Sequence, residues 1–126
     1  MGVSRFEDLR VWQEARMLVD DIGGLITQDQ MQRDRALRDQ LNAATLSTMA
    51  NIAEGFVRGR RKEFVQFLRI AAGSNAEARA LLHAAASRRY LSAQESDRMI
   101  GRTNSIGRML RRLMESLEAG STTARK

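Results

Sequence analysis

Residues 61–88 decide the fold, and they read RKEFVQFLRIAAGSNAEARALLHAAASR. Small and apolar residues recur in this stretch in alternating steps of four and three, the spacing of a helix that packs along a seam. The seam consists of Phe64, Leu68, Ala71, Asn75, Ala78, Leu82 and Ala85. This spacing predicts one long helix over about residues 61–88.

A second stripe of the same helix lies beside the seam, at Phe67, Ile70, Ser74 and Leu81. The helix is therefore apolar over more than one face. One side of a small bundle cannot cover both faces, and soluble monomers rarely expose an apolar patch of that size. We expect this helix to contact a second copy of the chain, so that the protein is a homo-oligomer.

Two helices are expected before this one. The first covers about residues 7–28, and the second starts with Asp34 as its N-cap and ends at Gly55 or Gly59. Their inner stripes comprise Val11, Trp12, Ala15, Leu18, Val19, Ile22, Leu25 and Ile26 in the first, and Leu37, Leu41, Ala44, Thr48 and Ile52 in the second. Gln28 to Arg33 are expected to form a polar link between them.

The fourth helix is predicted by a capping box, in which Ser92 is followed three residues later by Glu95. Its inner stripe is Met99, Thr103, Ile106, Leu110, Leu113 and Leu117. Four long helices joined by short links predict an all-α, up-down-up-down four-helix bundle over residues 1–119. Residues 120–126 are expected to form a flexible tail.

The composition agrees with this class and excludes several others. The 126 residues are enough for one domain, and the absence of proline favours uninterrupted helices. Without cysteine there is no disulfide, no thiolate nucleophile and no cysteine-bound zinc. No run approaches the roughly 20 apolar residues of a membrane span, and the charged start lacks a signal region, so we expect a cytoplasmic protein.

Net positive charge is confined to the second half of the chain. Residues 1–57 carry a net charge of −3, whereas residues 58–126 carry +9. Nearly all the cations are arginines, which suit bidentate contacts to phosphate, although a G+C-rich genome produces the same bias without any function. The distribution indicates either a polyanion-binding surface or a solvated helix surface that keeps the protein in solution.

Alternating helix directions bring several of these cations to one end of the bundle, beside Arg5. The predicted nucleic-acid-binding residues of this basic pole are Arg58, Arg60, Arg61, Lys62, Arg111 and Arg112. An arginine-rich link at the start of a helix offers guanidinium groups together with free backbone N–H groups. Both bind phosphate.

Two rows of polar residues flank the apolar stripes of the second and third long helices. The rows consist of Gln40, Ser47, Asn51 and Glu54, and of Glu63, Ser74 and Glu77. They can hold helix register through hydrogen bonds, or face a neighbouring subunit. Paired carboxylates also suit metal binding or acid-base chemistry, but His83 lies off their line and no Glu-x-x-His motif is present. We therefore expect no catalytic residues, no metal and no cofactor.

Several motifs together resemble a known family. They are FEDLRVWQEA at residues 6–15, NIAEG at 51–55, EFVQFLRIAAGSNAE at 63–77 and RYL at 89–91. Their combination over about residues 6–117 is similar to the 23S ribosomal RNA intervening-sequence protein family, also called four-helix-bundle proteins. The chain departs from the common pattern at Asn42, where a basic residue is usual, and at Arg89, where glycine often precedes the tyrosine. The first departure removes one candidate phosphate contact.

The resemblance implies a bundle that assembles as a ring of five and has no established enzymatic activity. A related branch, the accessory variability protein of diversity-generating retroelements, partners a reverse transcriptase and nucleic acid. We accordingly expect a non-enzymatic homopentameric scaffold that binds RNA or DNA through its basic pole. The alternative is a structural or protein-binding oligomer without a nucleic-acid role, such as an adaptor for an acidic protein partner.

Overall fold

A computed structural model of the chain describes residues 2–124, and the side chains of residues 2–120. A single 3-10 turn precedes α1, and within the described residues there is no β-strand. The helices are α1 (Arg10–Ile26), α2 (Asp29–Arg33), α3 (Arg35–Arg58), α4 (Arg61–Ser87) and α5 (Ala93–Ala124). The predicted all-α class is confirmed, with four long helices and one short one.

The four long helices surround one apolar core. Around the bundle α1 packs against α3, α3 against α4, α4 against α5, and α5 against α1. The largest fully buried apolar side chains are Leu18, Ile22, Leu25, Met31, Leu41, Ile52, Leu68, Leu82, Ile106 and Leu110. The predicted inner stripes therefore form this core, except that residues such as Trp12 and Leu113 are only partly buried at its edge.

The link between α1 and α3 is more ordered than its polar sequence predicts. Residues 29–33 form the one-turn helix α2, which carries Met31 into the core with no exposed surface. A single apolar residue in five has no periodicity, so spacing alone cannot reveal such a helix.

Helix ends follow the predicted local signals. Asp34 caps α3 by accepting a hydrogen bond from the backbone N–H of Leu37 at 3.4 Å. Before α5, the hydroxyl of Ser92 accepts from the N–H of Glu95 at 3.0 Å, and the Glu95 carboxylate accepts from the N–H of Ser92 at 2.9 Å. This last bond lowers the pKa of Glu95. Both predicted caps are confirmed.

The glycines of α3 and α4 have distinct roles. Gly59, with φ +80°, follows the last residue of α3 and ends the helix, whereas Gly55 lies inside α3 against α4. A Cβ atom on Gly55 would lie 2.7 Å from the Cβ of Phe67. At Gly73, by contrast, a Cβ would meet nothing within 4 Å. The close approach between α3 and α4 thus occurs at Gly55, and Gly73 faces open space.

The conformation of Arg89, in the turn after α4, shows why glycine is usual at this position in the family. This residue adopts φ +62°, a left-handed conformation that suits glycine. The N–H of Tyr90 donates to the carbonyl of Ala85 at 2.9 Å, and the N–H of Arg89 donates to Ala86 at 3.0 Å. These bonds close the end of α4 with an arginine where glycine would be unstrained.

Asn75 links α4 to α5 from inside the core. Its side-chain amide nitrogen donates to the backbone carbonyl of Thr103 at 2.9 Å. The amide oxygen, Oδ1, is the one buried side-chain polar atom among the described residues without a hydrogen-bond partner. This polar residue of the predicted seam therefore sets the register between two helices of the same chain.

The end of α5 overlaps the predicted tail. The helix backbone continues to Ala124, while residues 125 and 126 lie outside the described part. None of the helices in residues 2–124 combines the length and apolar character that crossing a membrane requires.

Candidate interaction surfaces

Two outward surfaces meet along α4. On one side Ser74 contacts α3, and on the other side Asn75 and Arg79 contact α5. We call these surfaces the α3–α4 face and the α4–α5 face. The predicted polar rows lie on the first, and part of the predicted basic pole lies on the second.

The α3–α4 face carries most of the large hydrophobic side chains that are exposed in the described part of the chain. Four large hydrophobic side chains are exposed among the described residues, and three of them, Leu46, Val57 and Ile70, lie on α3 and α4. Val57 is 69% exposed and Ile70 is 52% exposed. Phe67 and Leu81 of the predicted second stripe are partly buried beside them. The predicted second apolar face of α4 is therefore present, and α3 extends it.

A hydrogen-bonded cluster occupies the middle of this face. The hydroxyl oxygens of Ser47 and Ser74 are 2.8 Å apart, which joins α3 to α4. The side-chain amide of Asn51 donates to the carbonyl and to the hydroxyl of Ser47, at 2.8 and 3.0 Å. These three members of the predicted polar rows are thus brought together, and their bonds hold the register of the two helices.

Two of the three carboxylates of the polar rows, Glu54 and Glu63, pair with arginine. Arg58 pairs with Glu54 at 3.1 Å and with Glu63 at 3.7 Å, and its guanidinium carbon lies 5.3 Å from the ring centre of Phe67. Arg60 also approaches Glu63, at 3.9 Å. Two residues expected to bind phosphate therefore already face carboxylates of their own chain.

Gln40 and Glu77, the outermost members of the polar rows, are exposed and take no part in that cluster. Within the described residues, no three acidic or histidine side chains come together in a way that could hold a metal ion.

Three more residues of the predicted basic pole line two separate clefts. Arg61 and Lys62 line a cleft of about 330 Å³ between α4 and α5, together with Arg69 and Glu118. Its floor consists of Val65 and Leu117, which are buried and apolar.

Arg112 lies on the other side of α5. It lines a second cleft of about 220 Å³ between α5 and α1, beside Arg10 and several apolar side chains. Arg111 is seven residues from both Asn104 and Glu118, whose partners Arg79 and Arg69 belong to α4. Because seven residues are close to two helical turns, Arg111 lies on the α4–α5 face. The six predicted residues therefore do not form one patch.

Two cations of the α4–α5 face were not predicted. Arg69 pairs with Glu118 at 3.5 Å, and Arg79 donates to the neutral side-chain oxygen of Asn104 at 2.9 Å. Arg69 lies 7 residues after Lys62 and Arg79 lies 18 residues after Arg61, both close to whole numbers of helical turns, so their spacing could have shown that they share a side of α4 with those residues.

Other arginines of α5 are used within the bundle. Arg102 bonds Glu14 at 2.9 Å and Asp21 at 3.1 Å, and Arg98 bonds the second oxygen of Asp21 at 2.7 Å. Since these carboxylates belong to α1, the four side chains tie α1 to α5. Their positive charge is consequently offset within the chain.

A third cluster lies at the opposite end of the bundle. Both Arg88 and the hydroxyl of Tyr90 bond to Oδ2 of Asp34, so that the turn after α4 is tied to the start of α3. The bond from Arg88 lowers the pKa of Asp34, and bonds from Tyr90 and the Leu37 backbone act in the same direction. This cluster stabilises the fold.

These features define a small all-α bundle with two contrasting faces along one helix. The family model of the 23S rRNA-intervening sequence protein matches residues 7–112, and the chain belongs to this family. The resemblance found in the sequence is thereby confirmed. The comparison with curated proteins gives no match.

A solved structure has the same fold. It is a protein of unknown function from the S23 ribosomal protein family of Bacteroides thetaiotaomicron. The two chains are 18% identical, with a TM-score of 0.76, and the alignment covers 82% of this chain and 97% of that one.

Proposed function

We propose that the protein is a non-enzymatic homo-oligomeric scaffold that binds RNA or DNA through phosphate contacts. The observation that carries this proposal is the division of surface along α4. Exposed hydrophobic side chains lie on the α3–α4 face, and exposed cations lie on the α4–α5 face. The first surface suits a second copy of the chain and the second suits a polyanion.

Self-association would cover the exposed side chains of Leu46, Val57 and Ile70. Ser47, Asn51 and Ser74 already satisfy one another, so burial of this face would leave their shared hydrogen bonds intact. The number of five subunits rests on the family resemblance alone. In a ring of five the basic surface would be repeated five times, which strengthens attraction to a polyanion.

Ile70→Asp is expected to abolish assembly, because a charge would be buried at the centre of the subunit contact. In multi-angle light scattering at micromolar concentration, the wild-type protein should have about five times the 14.2 kDa chain mass, and the variant should have the mass of one chain. Met17→Asp is the matched control, since Met17 is 46% exposed but lies on α1. A wild-type mass of one chain contradicts assembly, and a dimer or tetramer contradicts only the stoichiometry.

Replacing Arg60, Arg61 and Lys62 by glutamine is expected to weaken binding to all RNA and DNA sequences alike. Each phosphate that the variant no longer neutralises should flatten the slope of log affinity against log salt by about 0.7–0.9. Fluorescence anisotropy with mixed-sequence oligonucleotides at several salt concentrations measures this slope. If the wild-type protein binds no nucleic acid at low salt, or if the triple variant keeps the same slope, the proposed contact is wrong.

The second candidate is an adaptor for an acidic protein partner. It is favoured by the apolar floor of Val65 and Leu117 in the α4–α5 cleft, which phosphate does not need. In a related branch of the family, the accessory protein partners a reverse transcriptase. A protein partner of this kind is therefore part of this second proposal. The salt titration described above distinguishes the two candidates. Oligonucleotide binding with the expected salt dependence supports the nucleic-acid scaffold, and absence of that binding supports the adaptor.

A further inference from the structure

We propose that the α4–α5 face binds duplex nucleic acid by its backbone, in preference to single strands. This inference rests on the proposed function and adds the kind of nucleic acid and the residues that contact it. The cations of the face are Arg61, Lys62, Arg69 and Arg79 of α4, and Arg111 of α5.

Charge is segregated around α4. The two acids of this helix, Glu63 and Glu77, lie within about 60° of Ser74 on the helical wheel, and Ser74 contacts α3. The cations of α4 lie on the other side, where Arg69 and Arg79 contact α5. Little acid from α4 itself therefore reduces the positive potential of this face.

Most of these cations keep their charge available. Arg79 bonds to the neutral side chain of Asn104. On the adjoining stretch of α5, the acids are Glu115 and Glu118, and Glu118 pairs with Arg69. Five cations of the face thus stand against two carboxylates. Arg58, Arg98 and Arg102, in contrast, each pair with two carboxylates or share one.

The spacing of the cations suits a rigid double strand. Lys62 and Arg79 are 17 residues apart, which corresponds to about 26 Å along a helix with a rise of 1.5 Å per residue. About seven base pairs cover that length at 3.4 Å each. Packed helices lie about 8–10 Å apart, so Arg111 of α5 adds a cation beside the row on α4. The row and this neighbouring cation can meet the phosphates of two strands across one groove.

The residues between the cations permit a close approach. Gly73 and Ala76 lie between Arg69 and Arg79 and are exposed, and a Cβ on Gly73 would enter open space. A double strand lying along α4 would therefore meet only small side chains at these two positions.

The α4–α5 face lacks the aromatic side chains on which single-stranded nucleic acid usually stacks. Proteins that bind them stack bases on aromatic side chains, at about 1–3 kcal/mol per base. The six aromatic residues of the chain all lie elsewhere. Phe6 packs on Trp12, Phe56 packs on Phe64, Phe67 lies under Arg58, and Tyr90 bonds Asp34. The α4–α5 face thus offers charge without stacking.

The test compares a 20-base-pair duplex with its separate single strands, by fluorescence anisotropy of the full chain at about 50–200 mM salt. The duplex is expected to bind at least tenfold more tightly, and two unrelated duplex sequences should differ by less than twofold. The variant Arg69→Gln/Arg79→Gln should reduce duplex affinity at least tenfold and flatten its salt slope by about 1.8. The control Arg16→Gln/Arg33→Gln removes the same charge from exposed positions on α1 and α2, and should change affinity by less than twofold.

The outcomes separate the inference from the function on which it rests. No binding to either form contradicts the proposed function as well. The inference alone is overturned if single strands bind as tightly as the duplex or more tightly. It is also overturned if the two variants reduce duplex affinity equally. Poly-glutamate that binds as tightly as the duplex overturns it in favour of an acidic protein partner. Circular dichroism and light scattering of both variants should match the wild type, so that a loss of affinity is not a loss of fold.

Discussion

Leu110→Ala is expected to lower the free energy of unfolding by about 2–5 kcal/mol. Leu110 is fully buried on the inner stripe of α5, within the single core of the bundle. Removing most of its side chain reduces apolar burial and leaves a cavity that long packed helices cannot readily close. Urea unfolding followed by circular dichroism, at one fixed protein concentration, measures the change. The concentration is fixed because assembly contributes to apparent stability.

His83→Ala is the control for this variant. His83 is exposed on α4, so its removal should change the free energy of unfolding by less than about 0.5 kcal/mol. Equal effects of the two substitutions would show that Leu110 is not in a packed core. Leu68→Ala, at the corresponding depth on α4, should behave as Leu110→Ala does.

Gly55→Ala is expected to cost about 2–3 kcal/mol although it adds a single methyl group. The new Cβ would lie 2.7 Å from the Cβ of Phe67, and 2.9 and 3.3 Å from the Cδ1 and carbonyl oxygen of Phe64. A Cβ and a carbonyl oxygen move only with the backbone, so α3 and α4 must separate. The change should appear in urea unfolding, and the Ser47–Ser74 contact should weaken with it.

Gly24→Ala provides the matched control. Gly24 lies inside α1 with no atom within 4 Å of a new Cβ. The same substitution there should stabilise the protein by about 0.5–1 kcal/mol, because alanine favours a helix. A neutral Gly55→Ala variant would mean that α3 and α4 do not approach as closely as described.

Local signals predicted helix ends well, and contacts between helices were harder to foresee. The caps at Asp34 and Ser92 depend on residues three positions apart, which sequence displays directly. The roles of Gly55 and Gly73 depend on what lies across from them, which their local sequences do not show. Met31 likewise owes its burial to neighbours distant in the chain.

The predicted basic pole shows the same limit. Arg58 to Lys62 are contiguous in sequence, yet Arg58 ends α3 whereas Lys62 lies in the first turn of α4, so the two residues reach different surfaces. Arg58 meets Glu54 and Glu63, whereas Lys62 borders the α4–α5 cleft. Net charge counted along the chain could locate the basic half, but it could not distinguish the two sides of α4.

The buried amide of Asn75 also determines how the exposed arginines of α4 are aligned with the arginine of α5 on the α4–α5 face. Sliding α4 along α5 by one turn would move the amide nitrogen about 5 Å from the Thr103 carbonyl and leave both ends of the side chain unbonded in the core. Intermediate offsets are penalised in the same way. The position of Arg69 and Arg79 of α4 relative to Arg111 of α5 is therefore fixed from the interior, by one buried hydrogen bond that no ligand can reach.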